Sequence, residues 1–415
     1  KPQWQAFFSR ADEVFYGGAA GGGKACYTGT MIPTPIGWTT MQDIRVGDFL
    51  LDDAGKPCKV IATSETFYNH KCYEVVFDDG EMIIADASHN WFTYTASDRT
   101  AMQRRTDLFR SNRREKRTKT GTGKRPDLAL RNSNNKSPLS SSPIGSVKTT
   151  QEIYNTLMVR GRTNHSIPVC KPLQLTESRL IVPPYTLGVW LGDGKTIQGK
   201  IYCHPDDNAI IDIVRRDGYD VTKVQSEEIA WTIRGLQPSL REIGVLGNKH
   251  IPMIYLRASY EQRLELLRGL MDTDGHCDKD GGAEYTSILS VLAKNVLELA
   301  RTLGIKATMI EGRATLYGKD CGAKYRVKMT TDLRIFNLKR KYEKQSSEVR
   351  LTQTQRYIVD CRPVESVPVK CIEIDTPSHL YLAGNAMIPT HNSDLLLGLA
   401  GEAHMRSVIF RRVFP

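Results

Sequence analysis

The chain has 415 residues, 40% hydrophobic and 25% charged, with 57 Lys and Arg against 46 Asp and Glu and a net charge of +11. The apolar share supports buried cores rather than wholesale disorder, and the length allows two or three domains. No run of about 18 apolar residues exists, which excludes a membrane-spanning helix; the opening KPQWQAFFSRADEVFY has no secretory h-region and no starting Met, so a fragment of a non-secreted protein is expected. Nine Cys without a C-x-x-C pair argue against a disulfide framework and a zinc knuckle. The basic excess leans towards nucleic acid.

In chain order, DEVFY at 12–16 reads as a short strand and GGAAGGGK at 17–24 as a glycine loop. Alternating apolar residues then predict short strands at VIATSETF, CYEVVF and MIIA. Residues 104–136 hold 12 basic and 3 acidic residues among Gly, Asn and Ser, which predicts a mobile arm for phosphate contacts. From 137 to 170 a linker with one short helix is expected. YTLGVWLGDG at 185–194 and LLRGLMDTDG at 266–275 are two apolar helices of one design, each with a Gly for close approach and an Asp-Gly end. YTSILSVLAKNVLELARTLGIKATM predicts a strand edge and a helix, and CIEI and LYLA predict further strands. SDLLLGLAGEAHM, from Ser393, reads as an amphipathic helix followed by a strand, SVIFRR.

A phosphate-binding loop needs G-x-x-x-x-G-K-[ST], so that backbone N–H groups and Lys meet the phosphates and a hydroxyl meets Mg²⁺. Gly18, Gly23 and Lys24 fit, but Ala25 and Cys26 follow where Ser or Thr is required. Joining Lys24 to Ser393 restores the motif as GGAAGGGKSDLLLGLAG. The rejoined 47 residues resemble the nucleotide-binding start of a phage terminase large subunit, which implies that ATP binds only the ligated host protein.

The inserted 368 residues, 25–392, resemble an intein. The resemblance rests on ACYTGTMIPTPIGW, with Thr30 sixth and Ile32 eighth, on DDGEMIIADASHNW, and on VKCIEIDTPSHLYLAGNAMIPTHN before Ser393. It implies a mainly β, horseshoe-shaped Hedgehog/intein splicing domain, in halves at 25–100 and 346–392, that needs no cofactor. Asn392 can attack its own carbonyl to form a succinimide, His391 can serve as general acid, and the Ser393 hydroxyl can accept the N-terminal segment. Ala25, where most inteins have Cys or Ser, has no nucleophile. If Cys26 were the first residue, Ala25 would remain in the loop and Thr30 would fall out of register, so that reading is rejected. Two readings remain: an engineered Cys-to-Ala change that leaves the precursor splice-inactive, or an intein class that lacks the first nucleophile. The second is favoured because Trp91, Cys371 and Thr390 occupy the three positions that distinguish that class. There the internal Cys attacks the N-terminal junction directly, and thiols suit that step. His89 is expected beside the Lys24–Ala25 bond, although Asp86 stands where Thr is commonest, and His379 is expected to assist Asn392. The other cysteines (Cys26, Cys58, Cys72, Cys170, Cys203, Cys277, Cys321 and Cys361) match no motif and are expected as packing or exposed thiols.

The paired helices resemble the two motifs of LAGLIDADG homing endonucleases, here in an inserted α+β domain at 171–345. A carboxylate at a helix C-terminus faces the negative end of the macrodipole, and a cation reverses that penalty. Asp193 and Asp274 are therefore expected to hold Mg²⁺ for phosphodiester hydrolysis. Lys249, before His250-Ile-Pro, is expected as the basic active-site residue, and Asp272 as accessory. The partner implied is double-stranded DNA, the intein-less host gene, cut by a monomer in the cytoplasm of a phage's host cell. The rival from another class is a nucleotide-binding packaging ATPase, disfavoured because no Ser or Thr follows Lys24.

Overall fold

The computed structural model describes residues 25–105 and 145–392, save 280, 318, 347 and 348. The two host flanks (1–24 and 393–415) and most of the basic arm lie outside the described residues.

The mainly β domain is assembled from both ends of the chain. Its largest sheet has six strands in the order Ser166–Pro168, Gln355–Val364, Cys72–Phe77, Met82–Asp86, Cys26–Tyr27 and Val369–Lys370. Cys72–Phe77 shows the period-2 burial of a strand with one face in the core: Cys72, Tyr73, Val75 and Phe77 are buried. A hairpin of Leu380–Ala383 and Ile388–His391 ends next to Asn392. Residues 145–168, expected as linker, instead contribute to this domain. Ser146–Thr149 pairs with Asn90–Thr93, Ser166–Pro168 joins the large sheet, and only Thr150–Asn155 is the expected helix. The Ser/Pro-rich start of the segment hid the short SVKT and SIP strands, which become strands only through partners far away in sequence.

The α+β domain lies between. Its core is the crossing of helices Pro184–Asp193 and Tyr260–Asp274, each followed by a sheet. After the first come Lys200–Tyr202, Ala230–Ile233 and Val221–Lys223; after the second, Gly275–Cys277, Ala283–Ser287, Lys319–Met329 and Ala307–Leu316. The second helix starts in a capping box, Ser259 Oγ accepting from Gln262 N while the Gln262 side chain accepts from Ser259 N. Gly188 and Gly269 are at the crossing. A methyl on Gly188 would lie 2.4 Å from the Leu266 carbonyl oxygen, and one on Gly269 would lie 2.3 Å from that of Tyr185. Gly188→Ala is therefore expected to pry the helices apart and cost about 2 kcal/mol, read as a lower urea midpoint.

The two domains touch through buried charge. Arg257 donates to the Thr34 and Gly37 carbonyls (both 3.0 Å) and pairs with Glu298 at 2.9 Å, which also accepts from Trp38 Nε1. Among the described residues no helix is long and apolar enough to cross a membrane.

Candidate functional site

Two sites emerge, one in each domain. In the β domain, Cys26 pairs with Lys370 on one side and Ala85 on the other. Extending that antiparallel register by one residue puts Ala25 opposite Cys371 and beside Asp86. Asp86 N donates to the Ala25 carbonyl at 2.9 Å, and Ala25 and Cys371 share a small buried cluster with Cys72 and Val369. Cys371 is held by Ser64, whose hydroxyl accepts from Cys371 N at 3.0 Å.

His89 is fully buried. Its Nε2 lies 2.6 Å from Thr390 Oγ1, and the Trp91 ring meets it edge-on with centroids 4.8 Å apart. Trp91 is itself fixed by Nε1 donating to Thr150 Oγ1 at 3.0 Å. His89 and Trp91, both in DDGEMIIADASHNW, and Thr390, near the end of the insert, thus form one contact group. Asp86 accepts from Ser88 N at 2.7 Å and lies 2.6 Å from His70 Nδ1. His70 carried no sequence signal.

At the C-terminal junction, His391 Nδ1 lies 2.7 Å from the carbonyl oxygen of Asn392, and Asn392 is buried. The Asn392 side chain, turned so that both ends are satisfied, donates to the His379 carbonyl at 3.1 Å and accepts from Ile374 N at 3.2 Å. Asn392 N donates to the same His379 carbonyl at 2.8 Å. His379 therefore holds Asn392 through its backbone, which has φ +54°, while its ring lies parallel to His391 at 6.1 Å. Thr30 and Ile32 are buried in the same domain. Gly18, Gly23, Lys24 and Ser393 lie outside the described residues.

In the α+β domain, Asp193 and Asp274 end the two crossing helices. Burial and then the charge of Asp193 push the Asp274 carboxyl up to about 6; burial also raises Asp193. Lys249, brought down to about 8 chiefly by burial, donates to the Gly192 carbonyl at 2.9 Å and sits over the Trp190 ring. Two desolvated carboxylates at two negative helix ends fit a divalent cation, which removes their mutual repulsion. Among the described residues no cluster of three or more His, Cys, Asp or Glu side chains could hold a metal.

Asp272 is not accessory to this pair. It accepts from Tyr185 OH (2.8 Å) and from the backbone N–H groups of Asn337 (2.9 Å) and Leu338 (3.0 Å), and so ties both motif helices to the segment before Lys339–Tyr342. Sequence reasoning missed Lys341. Its buried Nζ donates to the carbonyls of Met271, Asp272, Thr273 and Gly275 at 2.6–3.0 Å, neutralising the helix end beneath Asp274. A basic residue 67 positions beyond Asp274 has no local signal to betray it.

Residues 261–342 match the family model of the LAGLIDADG-like domain. That match spans the second motif helix and the sheet after it, 82 of the 415 residues. The fold is the expected one, a mainly β domain with an α+β insert. The chain is 37% identical over 408 residues to a replicative DNA helicase DnaB of Mycobacterium intracellulare, covering 96% of this chain and 64% of that protein. A second DnaB helicase, of Mycobacterium leprae (strain TN), is 48% identical over 73 residues, 18% of this chain and 12% of that one. The chain thus spans less than two thirds of the length of either relative. Among solved structures, the MchDnaB-1 intein is similar at 16% identity and TM-score 0.27, covering 89% of this chain and all of that one. The endonuclease I-DmoI in complex with DNA and Ca aligns at 12% identity and TM-score 0.27, over 38% of this chain and 93% of that one. These relatives are helicases, not the terminase expected from the flanks. A phosphate-binding loop is common to many ATPases, so its glycines and Lys do not tell one host from another.

Proposed function

We propose that the chain is a self-splicing precursor in which 25–392 excises itself and joins Lys24 to Ser393. The observation that carries this reading is the strand register that sets Cys371 across from Ala25. The Cys371 thiolate attacks the Lys24 carbonyl carbon, the Lys24–Ala25 bond breaks, and His89 passes a proton to the departing Ala25 amine. The resulting thioester is attacked by the Ser393 hydroxyl, which gives an ester on Ser393 and frees Cys371. The Asn392 side-chain nitrogen then attacks its own carbonyl, polarised by His391, and expels the Ser393 amine as a succinimide closes. That amine takes the N-terminal segment from the ester oxygen, leaving an amide. No cofactor is required.

The test is mass spectrometry of the chain with longer flanks beside its Ala25→Cys variant. Ligated flanks from the parent support the reading. A parent that stays intact while Ala25→Cys ligates supports the splice-inactive alternative, in which Ala25 is an engineered replacement. Thr390→Val removes the 2.6 Å partner of His89 and is expected to slow N-terminal cleavage about tenfold, followed by gel densitometry over time.

The insert is further proposed to be a monomeric endonuclease that cuts double-stranded DNA of the intein-less host gene in the host-cell cytoplasm. Asp193 and Asp274 would hold Mg²⁺, which when bound supplies charge neutralisation at the scissile phosphate. Lys249 adds a positive charge beside them, and the arm at 104–136 is proposed to contact phosphates. In the ligated product, Gly18, Gly23, Lys24 and Ser393 form the loop proposed to bind ATP, in a host of the terminase kind. Sequencing the gene beyond both flanks tests that host: a helicase reading frame overturns it.

A further inference from the structure

Cys26 matched no motif, yet its thiol lies at the centre of the splicing site. Its Sγ is 3.6 Å from His89 Nε2 and 3.8 Å from Nδ1, so it packs against the imidazole without favouring either nitrogen. The Tyr381 hydroxyl donates to the same sulfur at 3.7 Å. Tyr381 is the cross-strand partner of Thr390, which in turn holds His89 Nε2. Four side chains therefore close a ring, from Tyr381 to Cys26 to His89 to Thr390 and back across the hairpin. Tyr381 is 2% exposed and the other three are fully buried. Trp91 closes on the imidazole as well.

Packing alone does not call for this arrangement, since burying hydroxyl and thiol groups costs free energy that an apolar side chain of the same volume avoids. The arrangement does fix an imidazole in a buried site between a residue next to the N-terminal junction and the strand that ends at the C-terminal one. Burial pushes the Cys26 thiol up to about 12, which suits a protonated neighbour of the imidazole.

We infer that Cys26 and Tyr381 are positioning residues for His89, holding its ring so that the proton it delivers reaches the amine of Ala25. This rests on the direct-attack reading proposed above. The test follows cleavage at each junction separately, in the flanked full chain, for Cys26→Ala, Cys26→Ser, Tyr381→Phe and the Cys26→Ala/Tyr381→Phe double variant.

N-terminal cleavage should slow about tenfold in Cys26→Ala and in Tyr381→Phe. The double variant should be no slower than the worse single one, because both break the same ring. Cys26→Ser, which can still accept from Tyr381, should recover to within about threefold of the parent, and Asn392-dependent cleavage should persist throughout as the sign of an intact fold. Unchanged N-terminal cleavage in Cys26→Ala overturns the inference. So does a joint fall at both junctions, or a Ser variant as slow as the Ala one, since either marks a packing role only. Cys371→Ala, run alongside, separates the two readings. Cleavage that survives it overturns direct attack, whereas cleavage lost with it but unmoved by Cys26→Ala overturns only the role of Cys26 and Tyr381.

Discussion

Cys371→Ala should abolish ligation and leave the Lys24–Ala25 bond intact, so that the precursor runs at full mass or loses only its C-terminal flank. The expected loss is at least about a thousandfold, because the step that opens the N-terminal junction has no other nucleophile at residue 25. The strand register sets Cys371, not Cys26 or Cys72, across from Ala25. Cys371→Ser is a sharper comparison, since an alcohol retains the geometry but not the thiolate. It should fall between the parent and the Ala variant. Wild-type ligation by Cys371→Ala would remove the direct-attack mechanism altogether.

Asp274→Asn should reduce DNA cleavage by at least about a hundredfold while the splicing reaction proceeds at the parent rate. The substitution keeps the shape of the side chain and takes away one of the two charges that fit a divalent cation. It also relieves the repulsion that burial and Asp193 impose on this carboxyl, so the folded protein should be no less stable than the parent. The measurement is cleavage of a plasmid carrying the uninterrupted host gene, with Mg²⁺ added and with chelator. Cutting that is indifferent to Asp274→Asn, or to chelator, would sink the assignment of this pair. Gly188→Ala is the contrasting variant, because it attacks the helix crossing itself and should lower stability and cleavage together.

Much of the site was legible before any coordinates, because its chemistry is written at chain positions that covalent logic fixes. Asn392 must precede the residue that accepts the segment, and His391 must adjoin Asn392. A split phosphate loop marks Lys24 and Ser393 as the proposed join. The two Asp-Gly helix ends declared themselves by repetition, and their glycines by the close approach that only glycine allows. Short local patterns of this kind carry through to structure because neighbours along the chain remain neighbours in space.

What the tertiary structure alone decided is what meets across long separations. Ala25 meets Cys371 because one antiparallel register runs between the two ends of the insert, and His89 meets Thr390 across 301 positions through side-chain packing against the last hairpin. Lys341 caps the second motif helix, Asp272 anchors a distant segment, and the His379 carbonyl accepts from Asn392 N. Cys26 and Tyr381 join the imidazole only once three strands are laid side by side. Which strands pair, and in what register, is set by the whole fold, and a strand's own alternation does not name its partner.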